Sequence, residues 1–239
     1  MTPDVSIVVP VFNETGNVGP LAREIAAAFA GQAYEMIFVD DASTDSTRAD
    51  LVALKADLPS LRVLSHQRNS GQSRSVRTGI LAARAPIVVT MDGDGQNDPA
   101  DAPRLAARLV ASPDQVALVG GQRVKRQDSL AKKFASKVGN GVRKRLLKDG
   151  AEDTGCGLKA FRREAFLRLP YFDHIHRYLP ALMIREGYQV AFEPVGHRAR
   201  MAGASKYTNL GRLWASLSDL LGVMWLNSRS RLPGQVAED

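Results

Sequence analysis

Residues 91–96 read Met-Asp-Gly-Asp-Gly-Gln. Asp92 and Asp94 are spaced i, i+2 with Gly93 between them, so a chain leaving a strand can turn both carboxylates toward one point. Hard divalent cations take oxygen ligands, and Mg2+ pairs one or two carboxylates with substrate phosphates. The spacing therefore predicts a metal–diphosphate site on Asp92 and Asp94, with Gln96 as a further oxygen ligand. The plainer use of the same residues is an Asp-Gly turn in a polar loop. Two other stretches carry acids in similar settings: Pro10-Val11-Phe12-Asn13-Glu14 and Val39-Asp40-Asp41. A carboxylate there can accept hydrogen bonds from a base N–H and so orient a nucleotide. Alternatively, Asn13 and Asp41 cap helices.

All three stretches follow apolar runs. Residues 5–11 (VSIVVPV) are continuous and β-branched, as in a strand buried on both faces. Further strands are predicted at 35–39, 61–65, 86–91 and 116–119, with helices at 17–29, from 43–46 to about 56, from 72 to about 83, and after Asp98-Pro99. Strands alternating with helices at this spacing imply βαβ units and an α/β fold with a mostly parallel sheet flanked by helices. The second half predicts a helix over 129–147, a strand at 158–161, helices ending at 167 and spanning 177–186, and a strand at 189–195. Ligands of such sheets bind at the carboxyl ends of the strands, where the acids fall.

Charge is the least ordinary feature of the 239 residues: 32 Lys+Arg against 25 Asp+Glu give +7. Between Gln122 and Asp149 ten basic residues face only Asp128 and Asp149, a local +8, so the remainder sums to −1. A second basic stretch, 196–231, holds six basic residues and Asp219 alone. Nucleic acid, a phosphorylated substrate or an anionic membrane would all suit the excess. A nucleic-acid module is disfavoured, because Phe134 is the sole aromatic of the basic segment and the acidic strand ends would repel a polyanion. One cysteine, Cys156, excludes an intramolecular disulfide and a Cys-based zinc site. No GxGxxG follows the first strand, which argues against a dinucleotide-binding dehydrogenase.

With these residues in view, the chain resembles family 2 glycosyltransferases of the GT-A fold. Within them it is similar to polyprenyl-phosphate glycosyltransferases of the dolichol-phosphate mannosyltransferase type. The resemblance is carried by PVFNE, VDDASTDST and MDGDGQNDP, then Gly121-Gln122-Arg123, then Lys132, Ser136 and Asn140, then Asp153-Thr154-Gly155-Cys156-Gly157-Leu158-Lys159, and lastly the stretch from Arg200 to Tyr207 with Gly203, Ser205 and Lys206. It implies inverting, Mg2+- or Mn2+-dependent transfer of a sugar from a UDP- or GDP-linked donor to a polyprenyl monophosphate. A family 2 enzyme with a soluble or polysaccharide acceptor is the alternative. It further implies that Pro10, Phe12, Glu14, Val39, Asp41, Gly93, Arg200 and Lys206 contact the nucleotide sugar. Arg123, Lys132 and Ser136 are expected to hold the acceptor phosphate, and Asp153 to orient acceptor or sugar. Three departures touch donor and acceptor details: Phe12 stands where Tyr is common, Lys132 where Arg is usual, and Gly95 where Leu is common.

Residues 1–207 are read as the catalytic domain and 208–239 as an amphipathic interface segment. From Leu210 the apolar residues Leu213, Trp214, Leu217, Leu220, Leu221, Met224 and Trp225 repeat at helical spacing. The same stripe would also suit a helix packed on the domain. A lipid acceptor favours the membrane, so peripheral attachment to the cytoplasmic face is expected. No apolar stretch approaches the roughly 20 residues of a membrane span, and the N-terminus lacks the pattern of a signal peptide.

Overall fold

The computed structural model describes residues 2–124, 141, 143–198 and 209–234, the last segment with side chains from 217 onward. Seven strands form one sheet: β1 (Val5–Val11), β2 (Tyr34–Asp40), β3 (Leu61–Ser65), β4 (Ile87–Thr90), β5 (Val116–Arg123), β6 (Lys159–Arg162) and β7 (Gln189–Val195). Their order is β3-β2-β1-β4-β6-β5-β7. Every pairing is parallel except those of β6, which runs against both β4 and β5. The predicted limits of β1, β3 and β7 coincide with the observed ones. β5 extends four residues past its predicted end, to Arg123.

Helices cover both faces. On one lie α1 (Val18–Ala28), α2 (Thr47–Leu54) and α4 (Ala102–Val110), packing Leu21, Ile25, Leu51, Leu105 and Leu109 against Ile7 and Val9 of β1. On the other lie α3 (Gln72–Ala82), α5 (Arg163–Leu167), α6 (Leu179–Arg185) and part of the C-terminal helix α7 (Asn209–Ser228), packing against Val8. Successive β1 side chains thus enter opposite cores, which is why its apolar run is unbroken.

The reversed strand sets the site. Because β6 is antiparallel, its first residue Lys159 pairs with Thr90 and Gly120 near the carboxyl ends of β4 and β5. The residues leading into it, 153–158, therefore arrive beside Asp92.

Two of the basic residues are already engaged within the fold. Arg143 is buried, not solvated: Nη2 donates to Asp149 Oδ2 at 2.5 Å and Nη1 to Asp149 Oδ1 at 3.3 Å. Removing one partner of a buried ion pair leaves the other uncompensated, at a cost of about 3–5 kcal/mol. Arg143→Ala should lose stability of that order in urea titration; a loss under about 1 kcal/mol would contradict the buried pairing. Arg198 of the second basic stretch is likewise engaged, donating to Glu24 (2.6 Å) and Asp98 (2.7 Å).

Helix α7 meets both readings of its apolar stripe. Val223 is fully buried with Leu220 and Met224 packed against the same core, and Asp219 accepts from His174 Nδ1 at 2.8 Å. The opposite side, Leu217 (48% exposed), Leu221 (58%) and Trp225 (59%), faces outward. The boundary drawn at 207/208 falls outside the described residues. Among those described, no helix is long and apolar enough to cross a membrane.

Candidate active site

The loops after β1 and β2 are stitched together at the strand ends. Asn13 sits at φ 52°, a left-handed conformation that Asn tolerates. Its N–H donates to Ser43 Oγ (2.9 Å), and its Oδ1 accepts from the Thr44 N–H (2.7 Å). Glu14 N–H donates to Thr47 Oγ1 (2.8 Å), while Glu14 Oε2 accepts from Asn17 Nδ2 (2.7 Å). Phe12 and Glu14 are half-buried on this rim.

Val39 offers a nucleotide its backbone alone. It is fully buried in the second core and lies within the β2 ladder between Pro10 and Leu64, so its side chain does not reach a nucleotide. Asp41, one residue past the strand, is at the mouth but already engaged. Its Oδ1 accepts from Ser70 N–H (2.9 Å) and from His66 Nδ1 (2.7 Å), and its Oδ2 from Gly71 N–H (2.7 Å). An ionised carboxylate offers about four acceptor positions, of which these described residues take three.

Beyond β4, Asp92 is held from several sides. Its N–H donates to Asn97 Oδ1 (3.0 Å) and its Oδ1 accepts from Gln72 Nε2 (2.8 Å). Gly157 lies flat against the carboxylate: a Cβ built on it would overlap the Asp92 oxygens. Burial, then the neighbouring Asp94 charge, push the Asp92 carboxyl up to about 6, against the opposing pull of Lys159, Arg123 and the Gln72 hydrogen bond. Asp94 Oδ1 accepts from Gln96 N–H (3.1 Å), closing a local turn. Gly93 is explained by close packing, since its Cβ would meet Val11 Cγ1 at 2.6 Å and Pro10 O at 2.8 Å. Gln96 O accepts from Arg198 N–H (2.9 Å), and Asn97 bridges to His197, so the chain after β7 is tied beside this loop.

Arg123, at the end of β5, forms a bidentate pair with Asp153: Nε to Oδ2 at 2.5 Å and Nη2 to Oδ1 at 2.7 Å, both side chains largely buried. Arg123 is thus aimed by Asp153, and three of its five N–H donors lie outside that pair. Lys132, Ser136, Arg200 and Lys206 fall outside the described residues.

Three contributors were not foreseen. Gln72, Lys159 and His176 line a small cavity with Asp92, Gly157 and Pro10. Lys159 is buried, donates to Cys156 O, and is pushed below the usual lysine range by desolvation. His176 Nδ1 lies 2.7 Å from Ser73 Oγ. Burial, with Arg177, Lys159 and His174 adding to it, holds this imidazole well below its usual range and therefore neutral. Lys159 ends a stretch that the sequence marks out, whereas nothing local marks His176.

The donor set is hard oxygen on two carboxylates, and Gly157 leaves the room that the Asp92 carboxylate occupies. It fits a divalent cation whose other positions go to water and diphosphate oxygens. Among the described residues no cluster of three or more His, Cys, Asp and Glu competes with it.

Residues 6–169 match the profile of Glycosyl transferase family 2. The chain belongs to this family. It is 35% identical over 237 residues to a dodecaprenyl-phosphate galacturonate synthase of Rhizobium johnstonii, covering 97% of this chain and 69% of that protein. It is 33% identical to an undecaprenyl-phosphate 4-deoxy-4-formamido-L-arabinose transferase of Klebsiella pneumoniae, over 85% of this chain and 62% of that one. Among solved structures it resembles glucosyl-3-phosphoglycerate synthase of Mycobacterium tuberculosis, at TM-score 0.70 and 18% identity, covering 97% of this chain and 82% of that one. The latter structure contains Mn2+ and UDP, and another of the same synthase contains Mg2+ and UDP. The family 2 chain therefore has the expected GT-A-like sheet, and Mn2+ or Mg2+ is present in structures of that synthase. The resemblance read from the motifs, to family 2 transferases of the polyprenyl-phosphate type, is borne out by these relatives.

Proposed function

We propose that this chain transfers a sugar from a nucleotide sugar to a polyprenyl monophosphate, with inversion at the anomeric carbon. The observation that carries the reading is a juxtaposition. The carboxylates of Asp92 and Asp94 and the Asp153-aimed guanidinium of Arg123 meet at one sheet edge, with Arg123 close enough to pull on the Asp92 charge. One side suits a metal-bound diphosphate and the other a second anion. The names of the two curated relatives, both of which include a polyprenyl phosphate, support the acceptor class.

Asp92, Asp94 and Gln96 would hold Mg2+ or Mn2+, which offsets charge on the leaving diphosphate. Pro10, Phe12, Glu14, Gly93 and Asp41 form the nucleotide rim. Arg200 lies two residues past the tethered Arg198, and with Lys206 it is assigned to the donor phosphates. Arg123, Lys132 and Ser136 are assigned to the acceptor phosphate. An acceptor phosphate oxygen, already anionic, attacks the anomeric carbon as the bond to the nucleotide diphosphate breaks, so no strong general base is required. The cationic groups reduce the repulsion between two anions brought to one carbon.

The test is incubation with radiolabelled UDP- and GDP-sugars, Mn2+ or Mg2+, and polyprenyl phosphate. Label should partition into organic solvent only when lipid acceptor and metal are both present. Label found only in water-soluble product would instead support the soluble-acceptor reading.

Peripheral attachment at the cytoplasmic face belongs to the same reading. Leu217, Leu221 and Trp225 form an outward apolar stripe, and the Arg229 guanidinium lies 5.9 Å from the Trp225 ring centroid. An apolar face with adjacent basic groups suits an anionic bilayer surface. Changing all three stripe residues to Ser should lower affinity for anionic vesicles about a hundredfold, since each removes on the order of 1 kcal/mol of apolar burial. Unchanged pelleting would exclude this stripe as the contact.

A further inference from the structure

Asp41 and Asp92 stand at the ends of different strands, yet one short path of hydrogen bonds joins them. The Asp41 carboxylate accepts from the consecutive N–H groups of Ser70 and Gly71, at 2.9 and 2.7 Å. His66 backs the same carboxylate through Nδ1 (2.7 Å) and reaches α3 through Nε2, 3.0 Å from Thr78 Oγ1. Because Nδ1 faces a carboxylate, it carries the proton. Gly71 takes φ 87°, a conformation that glycine adopts readily, and the helix begins at the next residue. That residue is Gln72, whose Nε2 donates to Asp92 Oδ1 at 2.8 Å. The amide orientation follows from chemistry, since a carboxylate oxygen only accepts. Nothing in the expected roles accounts for Gln72, and its direction is fixed by a turn that Asp41 clamps.

We infer that Gln72 is a positioning residue: it holds the Asp92 carboxylate in its observed orientation, in which it would serve as a metal ligand, and Asp41 acts on the metal site through it. This rests on the assignment of Asp92 as a metal ligand. Asp92 is otherwise fixed by its backbone N–H on Asn97 and by the flat surface of Gly157, neither of which hydrogen-bonds the carboxylate. Hydrogen-bond partners of metal-ligating groups commonly contribute about 10- to 100-fold in metal affinity. Gln72 occupies that position for Oδ1.

The test is Mn2+ binding, followed by electron paramagnetic resonance of the free ion in the presence of UDP, for the whole chain carrying Gln72→Met, Gln72→Ala or Asp92→Asn. Met keeps the length of Gln and lacks its donor; Ala guards against a packing artefact of Met. Both Gln72 variants should raise the Mn2+ dissociation constant by about 10-fold or more. Their melting temperatures and their UDP affinity in EDTA should stay at wild-type values. Unchanged Mn2+ affinity in both, with binding abolished by Asp92→Asn, overturns the inference and leaves the metal site standing. A parallel loss of melting temperature and metal-free UDP affinity also overturns it, since that is the signature of a structural lesion. Mn2+ binding that survives Asp92→Asn overturns the underlying site assignment.

Discussion

Asp92→Asn should lower metal-dependent transfer by on the order of a thousandfold. A cation that neutralises charge on a departing diphosphate supplies several kcal/mol of transition-state stabilisation, and each 1.36 kcal/mol is about a tenfold change in rate. Asn keeps the shape of the side chain but not its charge, and Asp92 belongs to neither hydrophobic core. The loss should therefore appear in turnover and in the metal titration, with far-ultraviolet circular dichroism retained. Turnover at the wild-type level in saturating Mn2+ and Mg2+ would remove Asp92 from the metal site.

Gly157→Ala should cost about a hundredfold in kcat/KM with the fold retained. The glycine has an ordinary φ, so alanine is not strained by its backbone. The added methyl group instead enters the space of the Asp92 carboxylate. The carboxylate must turn away, and displacements of about 1 Å at reacting groups cost about 10²-fold. Overpacking at a tight site adds roughly 1–3 kcal/mol of destabilisation, which urea titration would report. The two substitutions act on one carboxylate, so the double variant should be scarcely worse than Asp92→Asn alone. Additive losses would mean that Gly157 works independently of Asp92.

Much of this arrangement is legible in the chain itself. β1, β3 and β7 announce themselves by apolar, β-branched runs, and their limits are observed as read. The acids at 41, 92 and 94 fall at strand ends because βαβ units place strand ends on one edge. What is not legible is partnership. A four-residue strand such as Lys159–Arg162 carries no local mark of its direction, which is decided by the gap between β4 and β5 that it fills. Charged residues in a basic segment look solvated until their partners are known: Arg143 finds Asp149, and Arg123 finds Asp153, thirty positions away. Val39 shows the converse, a motif neighbour whose side chain belongs to the core. Gln72 and His176 have no signal because their meaning depends on distant groups, Asp92 and Ser73, that only the fold brings near.

The reversed strand has one more consequence. β5 leaves the sheet at Arg123, and β6 re-enters it at Lys159, on adjacent strands and at the same edge. Residues 124–158 are thus spliced onto a hairpin stem whose two ends are already joined by the ladder. Loop-closure entropy grows only with the logarithm of length, so the length of this segment costs the sheet little, while its later part stays anchored: Leu147 packs in one core, Cys156 and Leu158 in the other, Arg143 pairs with Asp149, and Gly157 lies against Asp92. The segment carries most of the basic excess and, in Asp153, the partner of Arg123. On the proposed reading, acceptor preference belongs to residues 124–142, ahead of the anchored part. Grafting residues 124–142 between relatives is the natural way to ask what each one glycosylates.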